Sequence, residues 1–215
     1  MRKYAAELIG TFAMVFCGTG AIVIDQQTGG AIGHAGIAIT VGLIVTAMIY
    51  TFGEVSGAHF NPAVTIGFTI VGKFSVKEIP PYLISQLSGA FLATGLLRFL
   101  FPENITLGST QPSGSDIQSF VLEFILTFIL MLVILNVAHG SKETGVIAGI
   151  AIGSVILLEA MFAGPISGAS MNPARSLSPA IISGNTQSIW IYLTAPVLGA
   201  IAASITWIGM RSKVN

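Results

Sequence analysis

The chain has 215 residues, 53% hydrophobic and only 8% charged, with a formal net charge of zero. A soluble domain carries roughly a quarter of its residues charged, so this composition excludes a soluble enzyme and turns the surface toward a lipid bilayer. No excess of basic residues points to nucleic acid, and the single Cys17, inside an apolar run, has no partner for an intrachain disulfide.

A bilayer core about 30 Å thick takes ~20 apolar residues per helix. In chain order, residues 4–24, 34–53, 82–101, 117–138, 145–163 and 189–210 are long enough to span it. The first follows Met1-Arg2-Lys3, a start that signal peptides share, but Glu7 fits a signal's apolar stretch badly. It is read as a retained first helix. Two further apolar runs, 61–71 and 172–183, are too short, since eleven or twelve helical residues rise only about 16–18 Å. The expected fold is therefore an all-α membrane protein of six transmembrane helices and two re-entrant half-helices.

Basic residues set the orientation. Arg2, Lys3, Lys73, Lys77, Lys142, Arg211 and Lys213 fall on one side, against Arg98 at a helix end on the other and Arg175, placed in the interior. The positive-inside rule puts both termini in the cytoplasm, in a plasma (cell inner) membrane. Trp190 and Tyr192 are then expected in the outer aromatic belt, Trp207 and Tyr82 in the inner one.

The two halves repeat. Ser56-Gly57-Ala58-His59-Phe60-Asn61-Pro62-Ala63 returns as Ser167-Gly168-Ala169-Ser170-Met171-Asn172-Pro173-Ala174. Glu7 and Thr11 match Glu123 and Thr127, and Gly89-Ala90 matches Gly199-Ala200. Three spans per half is odd, so residues 117–215 enter the membrane opposite to residues 1–101, with 102–116 as a connecting outer loop. An inverted repeat of this kind places its shared site near the midplane, within one domain. Gly145, Gly149 and Gly153 flatten one face of the fifth span for close packing.

Each short run opens Asn-Pro and is followed by glycine, Gly72 or Gly184. Asn suits the N-cap, Pro the first helical position, and Gly the residue past the end. Irregular backbone at membrane depth is tolerated only inside protein or along a watery cavity, so the half-helix N-termini should meet centrally. If each Asn carbonyl caps its own helix, the amide groups of Asn61 and Asn172 face the lumen. A water accepting from both points its hydrogens away along the file and relays no proton, while the two helix dipoles repel cations. Arg175, directly after the second Asn-Pro-Ala, is read as a fixed cation at the outer constriction, with a loop-bracing salt bridge as the alternative.

These motifs resemble the aquaporin, or major intrinsic protein, family across essentially the whole chain. The matching residues are Ala6-Glu7-x-x-Gly10-Thr11-Phe12, Ser56 to Thr65, and Gly168 to Ser176. Residues 163–171 most resemble the nodulin-like branch of plants and its bacterial relatives. The resemblance implies a homotetramer with one pore per subunit. It also implies an outer selectivity filter that, counted from the Asn-Pro-Ala elements, falls on Val41, Ala160, Ala169 and Arg175. Val41 and Ala160 are smaller and more apolar than the aromatic and histidine of water-selective members. The expected solutes are water, glycerol, urea and metalloid hydroxides such as arsenous or boric acid. Against that, Ser176 and Ala180 stand where glycerol facilitators carry aspartate and lysine, which keeps a mainly water-selective channel open.

The resemblance further implies that Glu7 and Glu123 brace the re-entrant loops by accepting backbone N–H bonds, and His59 should line the cytoplasmic vestibule. Glu159, beside the filter, is read either as a loop-bracing acceptor or as a group tuning Arg175 or sensing pH. It also keeps a proton-coupled transporter as a remote alternative. His34 and His139 fall in loops, expected exposed. No nucleophile–base set and no metal-ligand cluster is apparent, and no cofactor is expected.

Overall fold

The computed structural model describes residues 1–138 and 146–211. Among them the chain forms α1 (Arg2–Gln27), α2 (Gly33–Ser56), α3 (Pro62–Ile70), a 3-10 turn (Val76–Glu78), α4 (Ile79–Leu100), α5 (Asp116–Ala138), α6 (Ala148–Ser167), α7 (Pro173–Ser183) and α8 (Ile189–Arg211). Six of these segments are long and apolar enough to cross a membrane. Helices α1, α2 and α6 run three or four residues past the apolar stretches that announce them. Hydropathy marks where lipid ends, but the helix continues through Asp25-Gln26-Gln27. The other two stop only at Gly57 and Gly168, each left-handed at φ 84°. Lys142, Lys213, His139 and Gly145 lie outside the described residues.

The halves are built alike. α4 lies on α1, and α8 on α5. The closeness has the same cause twice. A methyl on Gly89 would collide with the carbonyl of Leu8, and one on Gly199 with that of Phe124. α2 and α6 join the halves at Gly42 and Gly153, where an added Cβ on each would lie 2.7 and 2.6 Å from the other's carbonyl oxygen. Gly149 meets the ring of Tyr50, so two of the expected flat-face glycines do sit at the α2–α6 seam.

The half-helices interlock the repeats. α3 packs on α8 of the second half, and α7 on α4 of the first. With 9 and 11 residues they rise about 13.5 and 16.5 Å, so neither crosses a bilayer. Gly72 (φ 70°) follows α3, and Gly184 (φ 83°) caps α7.

Three of the four expected belt aromatics are elsewhere. Tyr82 and Tyr192 are 2% and 0% exposed. Their hydroxyls donate to the carbonyls of Ser56 and Ser167, each at 2.7 Å, so they pin the ends of α2 and α6. Trp207 is 5% exposed under the guanidinium of Arg211, which lies 4.3 Å from its ring. A tyrosine with a buried acceptor within reach gains more there than at an interface. Trp190 alone is open, stacked on Phe120.

Candidate functional site

The stretches entering the half-helices are unusual backbone. Ala58, Phe60, Ala169 and Met171 hold φ between 41° and 53°, a region costing a non-glycine residue roughly 1–3 kcal/mol. Two buried carboxylates hold them there. Glu7 accepts from Ser56 Oγ (2.7 Å), His59 N (2.9 Å), Phe60 N (2.7 Å) and Gln86 Nε2 (2.8 Å). Glu123 accepts from Ser167 Oγ (2.7 Å), Ser170 N (2.8 Å) and Met171 N (2.8 Å). Charge-assisted bonds of this kind are about twice as strong as neutral ones, which lets a short polar loop survive at membrane depth.

The strained loops bring Asn61 and Asn172 together. Each caps its own half-helix: Asn61 Oδ1 accepts from Ala63 N at 2.9 Å, and Asn172 Oδ1 from Ala174 N at 3.0 Å. Pro62-Ala63 and Pro173-Ala174 form the first turns behind them. The amide groups do not both point freely inward, however. Asn61 Nδ2 donates to the carbonyl of Met171 (2.8 Å), and Asn172 Nδ2 to that of Phe60 (2.9 Å). The left-handed turns aim these two carbonyls across the midline, where they need donors. One hydrogen of each amide is thus tied to the opposite half, and one remains. That of Asn172 goes to a weak acceptor, Met14 Sδ at 3.8 Å.

Val41, Ala160, Ala169 and Arg175 line one cavity of about 1380 Å³ with Asn61 and Asn172. That exceeds the ~300–1,000 Å³ of ordinary ligand pockets. Arg175 Nη1 donates to the carbonyl of Gly108 at 2.8 Å. Gly108 is left-handed at φ 68° and pressed against Thr19, so loop 102–116 positions the guanidinium as well as joining the halves. Thr110 Oγ1 donates to Ser176 Oγ at 2.7 Å, and Ser176 also meets Ser170 Oγ. Thr106, Ser109, Thr110 and Gln111 line the cavity too. The sequence reading missed this role of the loop; its polar run around Gly108 was the available signal.

His59 lines the same cavity, with its ring against Phe68, Phe74 and Tyr82. Its Nδ1 is 3.1 Å from Thr65 Oγ1, whose own hydrogen goes to the carbonyl of Asn61 at 3.0 Å. His34 is not in a loop but in the first turn of α2, its Nε2 2.7 Å from the Met161 carbonyl at the cavity wall. Glu159 departs from the bracing role. It is 6% exposed, yet among the described residues neither carboxyl oxygen has a hydrogen-bond partner. Glu123 already takes the donors of the second loop, so none is left for Glu159. Nor does Glu159 reach the cavity wall.

Residues 1–207 match the family described as Major intrinsic protein. The chain is 49% identical over 205 residues to Aquaporin NIP1-1 of Oryza sativa subsp. japonica, covering 95% of this chain and 72% of that protein. It is 47% identical over 205 residues to Nodulin-26 of Glycine max, covering 95% and 76%. Among solved structures, the aquaglyceroporin from Plasmodium falciparum matches with a TM-score of 0.86 at 30% identity, over 96% of this chain and 94% of that one.

Proposed function

This chain belongs to the major intrinsic protein family of passive membrane channels, and from that premise we propose that its pore admits solutes larger than water. Glycerol, urea and uncharged metalloid hydroxides pass with water. Val41, Ala160, Ala169 and Arg175 form the selectivity filter, and Asn61 and Asn172 the centre that refuses protons. One observation carries the solute range: Val41 and Ala160, both small, share a cavity wall with Arg175. An apolar flank and a fixed donor suit a molecule with a carbon face and hydroxyls. The departures at Ser176 and Ala180 carry little weight against this, because both side chains are buried behind the wall, 0% and 1% exposed.

At the centre, the remaining amide hydrogen of each Asn orients one solute oxygen. The N-termini of α3 and α7 add positive partial charge there. A water held between two donors has no free lone pair with which to accept a proton. Flux is uncoupled, since among the described residues no titratable side chain is bonded to the Asn pair. The family premise also supports a homotetramer in the plasma membrane with a pore in every subunit. Arg2, Lys3, Lys73, Lys77 and Arg211, gathered on one side, support cytoplasmic termini. Each subunit is one channel unit of two repeats, 1–101 and 117–215, joined by loop 102–116.

Proteoliposome flux of water, glycerol, urea and arsenite tests the reading. Glycerol should equilibrate at a rate far above empty vesicles and never accumulate under a proton gradient. A wild type that conducts water fast and excludes glycerol is a water channel, and the wide filter is then wrong.

A further inference from the structure

We propose that Met14 is a peroxide-sensitive modification site of the pore. In this reading its thioether is oxidised to the sulfoxide by hydrogen peroxide moving through the lumen, and the new oxygen removes Asn172's second amide hydrogen from the conduction path. The proposal rests on the reading of the Asn pair as the pore centre.

Met14 lies on α1 and lines the same cavity as Asn61 and Asn172. Its Sδ is 3.8 Å from Asn172 Nδ2, the nitrogen whose other hydrogen is fixed on the Phe60 carbonyl at 2.9 Å. The thioether therefore takes the second hydrogen of that amide, as a weak acceptor. Packing keeps it there, because Met14 touches two separate apolar clusters, one around Met131 and Leu130 and one around Val15 and Ala90. The opposite half lacks the group. Glu7 corresponds to Glu123, an offset of 116, so Met14 corresponds to Leu130 (14 + 116), which also lines the cavity and has no sulfur. The pore centre thus carries an oxidisable atom at one of its two asparagines. Of the other methionines, Met131 and Met171 are 0% and 3% exposed, and only Met171 also borders the cavity.

Hydrogen peroxide is the oxidant such a site would meet. It is neutral, close to water in size, and offers the same hydroxyls to the Asn donors, so a filter passing larger polyols does not stop it. The sulfur lone pair attacks one peroxide oxygen, the O–O bond breaks, and the second oxygen leaves with both hydrogens as water. Sulfur is oxidised by two electrons and the peroxide is reduced. A thioether is a weak acceptor that yields the amide hydrogen to a passing solute. A sulfoxide is polar, its S–O oxygen is a strong acceptor, and it adds a heavy atom to the lumen. The centre loses one of its two donors and some of its width, and conduction falls.

The test uses the full chain in proteoliposomes. Water and glycerol permeabilities are measured before and after peroxide for the wild type and for Met14→Leu, each against its own untreated sample. Peptide mass spectrometry scores oxygen addition at every methionine. Wild-type permeability should fall several-fold in proportion to the oxidised fraction of Met14, recover after methionine sulfoxide reductase treatment of detergent-opened vesicles, and stay unchanged by peroxide in Met14→Leu. Undiminished flux with Met14 fully oxidised overturns the proposal. So does a Met14 that resists peroxide while exposed Met210 reacts, or an equal loss in Met14→Leu. If that variant fails to assemble, proportionality in the wild type decides alone. A wild type silent before any treatment overturns the pore reading itself, and this one with it.

Discussion

Arg175 and Glu159 are both ionisable side chains set in apolar surroundings, and what each one meets separates their roles. Arg175 has the Gly108 carbonyl and a place on the cavity wall. A unit charge about 6 Å from the pore axis, at an effective dielectric near 20, opposes a cation by roughly 3 kcal/mol. Arg175→Val should therefore raise proton or alkali-cation leak about a hundredfold while glycerol flux persists or rises. Proton conductance and glycerol uptake on the same reconstituted sample check this; unchanged proton exclusion would assign the whole barrier to Asn61 and Asn172. Among the described residues Glu159 has no hydrogen-bond partner, and it does not line the cavity. An unsatisfied buried polar group costs about 1–3 kcal/mol, so Glu159→Met should raise the unfolding midpoint in detergent and leave solute flux as it was. A large loss of flux in the folded variant would restore the tuning role.

Between helices, glycine position matters more than glycine number. Gly89 and Gly95 share α4, but a Cβ at Gly89 meets the α1 backbone, whereas one at Gly95 meets nothing within 4 Å. Gly95→Ala should stabilise by about 0.5–1 kcal/mol through helix propensity, and Gly89→Ala should destabilise by about 1–3 kcal/mol through overpacking. Thermal unfolding of the two variants side by side gives opposite signs, or the close α1–α4 crossing is misjudged. The sequence announced this crossing only as a repeated Gly-Ala pair. Spans, half-helices and the inverted repeat were legible because each has a local cause: apolar length, Asn-Pro starts, glycine stops. Tyr82, Tyr192 and Trp207 misled, since an aromatic near a span end reads alike whether it meets lipid or a buried carbonyl. Loop 102–116 was opaque for a related reason. Its hold on Arg175 through Gly108 and on Ser176 through Thr110 is backbone and hydroxyl geometry between segments over 60 residues apart, and no periodicity records that. The crossed bonds of Asn61 and Asn172 were half legible: the caps followed from Asn-Pro, whereas the opposing carbonyls depend on left-handed turns at Phe60 and Met171.

For the whole molecule, the proposed filter governs the solute range and the crossed midline bonds join the two halves. Val41→Phe with Ala160→His should depress glycerol flux at least tenfold more than water flux, as read by paired stopped-flow traces; equal losses would place the constriction elsewhere. The midline latch has a further consequence, for synthesis. Asn61 and Met171 are 110 residues apart, and Phe60 and Asn172 are 112 apart. At a translation rate of about 5–20 residues per second, the first half waits some 5–20 seconds with a carbonyl and an amide facing each other's absence. During that interval α3 is held by the first half alone, through Glu7 on the loop ahead of it and through Gln86 Nε2, which donates to Thr65 Oγ1 at 3.0 Å. A ribosome halted after residue 138 should thus display the 57–61 loop to protease, and one released past residue 183 should hide it. The proposed conducting centre thus comes into being late in synthesis, as a product of the two halves meeting.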